Sequence, residues 1–304
     1  MTTIEEAKNK RRQSRQLIFR KMLPWLLVLP ILLISITVMI GPAISSFYYA
    51  MTDWSGFGAA KFIGLENFRL LLEDSSYKEA LLHNLLWLIY VTTIPIAIAL
   101  VVASLLAPLR RFGMFFRTAF FIPYVLASVV ISNVWRNLLS PTKGIGALLA
   151  KVGVPGLDQA YLGNPKTSLF AIFFIDNWHW WGFLMILFLA AMQNISPDLY
   201  EAARIEGANR WHEFRYITIP GIRPTLFLML LMTSIWSFLV FDYVWILTQG
   251  GPAGGSEVLG TLLFKNAFFN FEAGYAAAIG LTMSFYGGIF ILLFILGRRR
   301  GWDI

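Results

Sequence analysis

The chain has 304 residues, of which 57% are apolar, 16% aromatic and only 14% charged, with a formal net charge of +8. Soluble domains carry roughly 25% charged residues, so this composition excludes an ordinary soluble domain and indicates a membrane protein. The absence of cysteine excludes disulfides, thiolate metal sites and cysteine nucleophiles. The basic residues cluster at the ends of apolar runs, which assigns the positive charge to membrane topology and not to nucleic acid.

A basic tail, residues 1–21, comes first and holds Lys8, Lys10, Arg11, Arg12, Arg15, Arg20 and Lys21. It reads as a topology signal in contact with anionic lipid. Six apolar runs follow, over residues 22–49, 80–107, 114–139, 167–195, 224–249 and 275–296. Each exceeds the roughly 20 residues that a spanning helix needs, so tilt or interfacial ends are expected. Pro30, Pro42, Pro95 and Pro123 predict local kinks. The first run is too long in its core for a cleavable signal peptide. The expected fold is all-α, a polytopic membrane protein with six transmembrane helices in a single domain over residues 22–304.

Orientation follows from the loops. Arg110, Arg111 and Arg117, then Arg204, Arg210, Arg215 and Arg223, then Arg298, Arg299 and Arg300, share a side with the tail, making 17 of the 25 basic residues. The positive-inside rule places both termini and the 196–222 segment in the cytoplasm. Gly163-Asn164-Pro165-Lys166-Thr167 and the glycines at 250, 251, 254 and 255 fall on the outside, where they read as turns. The chain has no Gly-x-x-x-x-Gly-Lys-Ser/Thr loop to cradle ATP phosphates.

The fourth run carries Asp176, His179, Trp180 and Phe183 at i, i+3, i+4 and i+7, which is one helical face. Ionisable residues within a span are costly and face a cavity or the bundle interior. A carboxylate, an imidazole and an indole suit a sugar: polar groups take its hydroxyls and the ring packs on its C–H face. In the fifth run Thr233, Trp236 and Ser237 also share a face, with Asp242 and Tyr243 further along. The bland alternatives are an interfacial aromatic belt and hydroxyl-mediated helix packing. Asn133 and Ser284 are weaker polar candidates in the third and sixth runs. The other histidines, His83 and His212, are far from His179 in topology, so no metal site is expected, and no catalytic dyad is evident.

Between the fourth and fifth runs lies a coupling segment, about 196–222, that reads as helix, turn, helix. Ser196 suits the N-cap, Pro197 the first helical position, and Asp198 the positive end of the dipole. Leu199, Ala203 and Glu206 fall on one face, with Glu201 and Ala202 away from it. Gly207 suits the helix end, and Asn209 caps a second short helix carrying Trp211, Phe214 and Ile217. Physics alone leaves two readings level: a helix gripped by a partner protein, or an amphipathic helix anchored in the membrane interface by Trp211 and Phe214.

Glu201-Ala202-Ala203, Gly207-Ala208 and Ile217-Thr218-Ile219-Pro220 resemble the cytoplasmic signature of permease subunits of binding-protein-dependent ABC importers. The family pattern has Asp where Glu206 stands and Leu where Ile219 stands. Asp53-Trp54 with Phe62-Ile63-Gly64-Leu65-Glu66-Asn67-Phe68 resembles the first outer loop of the carbohydrate branch. Phe120-Phe121-Ile122-Pro123 resembles its third span, and Thr248-Gln249-Gly250-Gly251-Pro252 with Gly274-Tyr275-Ala276-Ala277-Ala278 its last loop and sixth span. The resemblance, to maltose-type and glycerol-phosphate-type permeases, implies a type I importer fold in the bacterial inner membrane. It implies a coupling helix seated on an ATPase, so ATP and Mg are held by two partner ATPase subunits and this chain holds no cofactor. Further implied partners are a second, homologous permease subunit, which takes the N-terminal helix in exchange, an extracytoplasmic solute-binding protein and a carbohydrate cargo. It also supports Asp176 as a sugar contact. Relatives have a small residue where Trp180 stands, which implies a smaller cargo or a differently shaped pocket. The competing classes are an ion-gradient-driven secondary transporter, for which only Asp176 and no repeat of halves is found, and an intramembrane enzyme or scaffold.

Overall fold

The computed structural model describes residues 22–109, 112–154, 156–299 and 301. The tail expected over residues 1–21, together with Arg110, Arg111 and Arg300, lies outside the described residues. Among the described residues no strand forms, and one isolated bridge pairs Thr52 with Phe62. The helices are α1 (Met22–Tyr49), α2 (Glu66–Glu73), α3 (Ser75–Leu106), α4 (Gly113–Val125), α5 (Ser128–Leu138), α6 (Ile145–Lys151) and α7 (Ser168–Met192). They continue as α8 (Pro197–Ile205), α9 (Arg210–Glu213), α10 (Arg223–Leu239), α11 (Asp242–Leu247), α12 (Leu259–Phe268) and α13 (Ala273–Arg299). Five helical segments are long and apolar enough to cross a membrane, or six when the bent pair α4 and α5 counts as one span.

That bent pair corrects the expectation of a continuous third helix over 114–139. α4 and α5 meet at 98°. Pro123, inside the last turn of α4, removes one donor from the helical ladder, and after Val125 the residues Leu126 and Ala127 turn to extended backbone. The fifth run also divides, at Val240 and Phe241, into α10 and α11. No proline or glycine marks that break; its support is tertiary. The carbonyl of Ser237, orphaned at the end of α10, accepts from Asn84 Nδ2 at 2.6 Å. The Oδ1 of the same fully buried Asn84 accepts from the Leu259 N–H that opens α12, at 2.8 Å. One side chain of α3 thus satisfies two helix ends that would otherwise be buried unpaired. Of the four prolines expected to kink, Pro42 follows a π turn at Ile36–Ile40, where Gly41 N–H reaches Ile36 O. Pro30 and Pro95 sit in continuous helix.

α3 and α7 pack along their length and form the centre of the bundle. Toward the end that carries the 196–222 segment, Ala99 and Ala103 of α3 let Leu184, Met185 and Phe188 of α7 approach, closed by Ile222 and Met229. Small residues at such a crossing supply the close backbone approach that drives helix association in lipid. Toward the opposite end, Trp87 and Val91 pack with Ile172, Phe173 and Ile175, Ile131 of α5 and Val244 of α11. A third cluster joins Tyr77 and Ala80 to Phe238, Leu259 and Ile279. α1 stands apart: none of its residues is buried, and its last turns lie against α13.

Gly182 is where α4 touches α7. A Cβ there would lie 1.8 Å from Phe120 O, a backbone atom that moves only if α4 moves. Overpacking of this kind costs about 1–3 kcal/mol or more. Gly182→Ala is therefore expected to lower the melting temperature and yield of the purified protein, whereas Gly287→Ala, whose Cβ would meet nothing within 4 Å, leaves both unchanged. Equal melting of the two variants would refute the close crossing.

Candidate substrate cavity and coupling segment

The two breaks, α4–α5 and α10–α11, come together beside the middle of α7. They leave a cavity of about 260 Å3 walled by α3, α7, α10 and α11. Asp176, His179 and Trp180 of α7 line it, as do Trp236 and Ser237 of α10. The expected α7 face is therefore present, but its last member is displaced. Phe183 lies one turn beyond the cavity and stacks on Tyr124 of α4, with ring centroids 4.3 Å apart. Thr233 does not reach the cavity; it is fully buried and its hydroxyl donates to Met229 O at 2.8 Å. Both positions were placed by helical spacing, which cannot show where the neighbouring helix ends. Asn133 and Ser284 are exposed and bond carbonyls of their own helices, Val129 O and Gly280 O.

Trp87, Val91 and Tyr243 complete much of the wall. Trp87 and Val91 were not among the expected site residues, since they sit within an evenly apolar run that carries no signal. Trp87 Nε1 donates to Asp176 Oδ2 at 3.3 Å, and Asp176 is only 7% exposed. Trp180 and Trp236 stack with centroids 4.4 Å apart and planes inclined by 24°. Tyr124 stacks on His179 and Trp180 at 5.4 and 5.5 Å, which extends the aromatic wall to the α4–α5 break. Past that break, the hydroxyl of Ser128 lies 3.5 Å from Asp242 Oδ2. The arrangement offers a carboxylate and ring faces to a polar solute. No group of three His, Cys, Asp or Glu side chains placed to share a cation occurs among the described residues.

The 196–222 segment is a helix–turn–helix at one end of the bundle. Ser196 takes the extended N-cap backbone, but its side chain makes no capping bond, so the expected cap is supplied by conformation alone. Pro197 and Asp198 stand in the first turn. Gly207 has φ +84°, and α8 closes with Gly207 N–H to Arg204 O at 3.1 Å and Ala208 N–H to Ala203 O at 2.9 Å. This is the Schellman pattern, which satisfies otherwise orphaned carbonyls. Asn209 Oδ1 accepts from His212 N–H at 2.9 Å and caps α9.

The face shared by Leu199, Ala203 and Glu206 is not packed as a unit. Leu199 and Glu206 are exposed; Tyr200 and Ala203 are half-buried, and the exposed Arg204 reaches across to the second helix. Tyr200 OH lies 3.0 Å from Thr218 Oγ1. Arg204 reaches Glu213 bidentately, Nε to Oε1 at 2.7 Å and Nη2 to Oε2 at 3.2 Å. These hydrogen bonds hold the Glu213 carboxyl below its usual range. The pair binds the two helices into one unit, with Glu201, Ala202, Glu206 and Gly207 on its outer surface. Ile205, 88% exposed, and Trp211, 65% exposed, add apolar area to that surface.

A polytopic helical bundle with an aromatic-walled cavity carrying a few polar side chains, and a charged helix–turn–helix at one end, fits a membrane transport protein. The chain belongs to the family described as binding-protein-dependent transport system inner membrane component, whose sequence model matches residues 95–300. It is 35% identical over 267 residues to the probable ABC transporter permease protein YurN of Bacillus subtilis, covering 86% of this chain and 91% of that one. It is 30% identical over 311 residues to the diacetylchitobiose uptake system permease protein NgcF of Streptomyces coelicolor, covering 97% and 88%. Its fold matches a chain of the bacterial alginate ABC transporter crystallised with an alginate pentasaccharide-bound periplasmic protein. That match has a TM-score of 0.84 at 21% identity, over 95% of this chain and 98% of the other. The family disfavours the ion-gradient-driven alternative.

Proposed function

We propose that the chain is one of two membrane subunits of an ATP-driven importer of a carbohydrate or sugar derivative. An extracytoplasmic binding protein delivers the cargo, and two separate ATPase subunits, which hold ATP and Mg, power its passage. The observation that carries the sugar reading is the cavity: the Trp180–Trp236 stack supplies ring faces for C–H edges, and Asp176 supplies a hydroxyl acceptor. Its nature agrees with the cargo named for the Streptomyces relative and with the alginate-binding partner of the structural one. The basic residues around 204–223 support a cytoplasmic helix–turn–helix, and in this reading Glu201, Ala202, Ala203, Glu206, Gly207 and Ala208 form the ATPase-docking element. α1, with no buried residue, is the helix this reading places against the second permease subunit.

The test is uptake into proteoliposomes holding the purified complex and its binding protein. Uptake of a carbohydrate is expected to require ATP on the coupling-segment side and to survive ionophores that collapse ion gradients. Uptake that needs a gradient and ignores ATP would overturn the reading.

A further inference from the structure

We infer that this subunit selects uncharged carbohydrate over carboxylated or phosphorylated cargo, with Tyr243 and Asp176 holding one cargo hydroxyl between them. The inference rests on the carbohydrate reading above and narrows it. Three titratable groups other than tyrosine line the cavity, Asp176, His179 and Asp242, and no lysine or arginine does. The cations on adjoining elements are elsewhere. Arg136 of α5 donates to Ile246 O, and Arg117 of α4 lies two turns from Tyr124 and outside the cavity wall. An anionic cargo would therefore meet two acidic side chains on this wall, the buried Asp176 and the exposed Asp242, with no lysine or arginine beside them, and repulsion at the buried one is the less screened by solvent.

Tyr243 supplies the second, independent observation. It lines the cavity and is 6% exposed, yet its hydroxyl is buried without a hydrogen-bond partner. The other buried polar side-chain atoms lacking a partner among the described residues, on Arg117, Ser132, Trp135, Ser168 and Asn177, belong to residues that do not line this cavity. An unsatisfied buried hydroxyl is unfavourable, so one carried by a residue that lines a solute cavity points to a partner that arrives with the solute. Among the described residues Asp176 accepts a single hydrogen bond, from Trp87. A sugar hydroxyl is both donor and acceptor, so it can donate to Asp176 and accept from Tyr243 at once. A carboxylate or phosphate oxygen only accepts; it can use Tyr243 but opposes Asp176.

Equilibrium binding to the purified complex in lipid nanodiscs tests this, at fixed ionic strength. The probes are maltose, cellobiose and N,N′-diacetylchitobiose as neutral ligands, and digalacturonate and glycerol 3-phosphate as anions. At least one neutral probe is expected to bind at least about tenfold more tightly than both anions, as a single uncompensated charge contact dictates. Tyr243→Phe keeps the ring and removes a hydroxyl that has no partner in the protein. It is expected to leave thermal stability unchanged and to weaken neutral binding about fivefold, the worth of one neutral hydrogen bond. Asp176→Asn retains an acceptor for Trp87 and is expected to narrow the gap between neutral and anionic probes. Anions that bind as well as the neutral sugars would overturn the charge selection while leaving the carbohydrate reading intact. Unchanged affinity in Tyr243→Phe would overturn the hydroxyl pair. If no probe of either kind binds, the carbohydrate reading fails and this inference fails with it.

Discussion

Gly207→Val is expected to leave the protein inserted in the membrane while its ATPase is lost on purification and uptake falls about tenfold or more, whereas Gly207→Asn retains most of both. A Cβ at Gly207 would meet nothing within 4 Å, so the substitution creates no clash. The whole effect comes from the backbone at φ +84°. A left-handed conformation costs an ordinary L-residue about 1–2 kcal/mol, more when β-branched, while asparagine tolerates it. Valine therefore releases the turn and the two hydrogen bonds from Gly207 and Ala208 that close α8. The proposed docking surface, Glu201, Ala202 and Glu206, then loses its fixed relation to α9. Glu201→Lys probes the same surface by charge: the residue is exposed and its reversal sets like charge against whatever complements it, costing several kcal/mol at a tight rim. Wild-type ATPase co-purification in both Gly207→Val and Glu201→Lys would sink the docking assignment and return the segment to its other reading, an interfacial anchor through Trp211 and Phe214.

Asp176→Ala is expected to cut carbohydrate uptake about tenfold while insertion and ATPase co-purification stay intact. The residue lines the cavity through a carboxylate held by Trp87. Alanine removes the cargo acceptor and also leaves the buried indole N–H unpaired, a cost of about 1–3 kcal/mol. Asp176→Asn separates the two effects, because its amide oxygen still accepts from Trp87. Expression, melting temperature and uptake measured together decide the matter: a stable Asp176→Ala variant with unchanged uptake kinetics would remove Asp176 from the pathway.

Much of the fold was legible because lipid imposes length and polarity on a spanning helix. The runs at 80–107, 167–195 and 275–296 correspond to Ser75–Leu106, Ser168–Met192 and Ala273–Arg299 within a few residues. The stop of α8 at Gly207 and the cap of α9 at Asn209 were legible for a local reason, since each depends on one residue's own conformational chemistry. The break after α10 was not. Nothing near Val240 disfavours helix, and the Ser237 carbonyl left free at the end of α10 is satisfied by Asn84, more than 150 residues away in the chain.

The candidate site shows the same division. Helical spacing put Asp176, His179 and Trp180 on one face, and the structure brings that face to a cavity. Spacing also named Phe183 and Thr233, which share those faces but lie past the ends of the cavity. Trp87 carried no signal, because an indole in an apolar run looks the same whether it packs or binds. Helical spacing grouped Leu199, Ala203 and Glu206, but it could not show the pairings of Tyr200 with Thr218 and Arg204 with Glu213 that tie α8 to the helix after it.

By itself, the sequence determined that the chain spans a membrane, which segments are apolar enough to span it, which segment is the charged helix–turn–helix, and the family to which the ordered motifs belong. These follow from burial in lipid and from local backbone preference, both of which act on contiguous residues. Only the tertiary structure decided that the third and fifth runs break and that the two breaks meet beside α7. It alone placed Trp87 against Asp176 and Tyr243 on the same cavity. Those outcomes depend on buried polar groups finding partners across the bundle, and a partner 89 to 175 residues away leaves no mark on the local sequence.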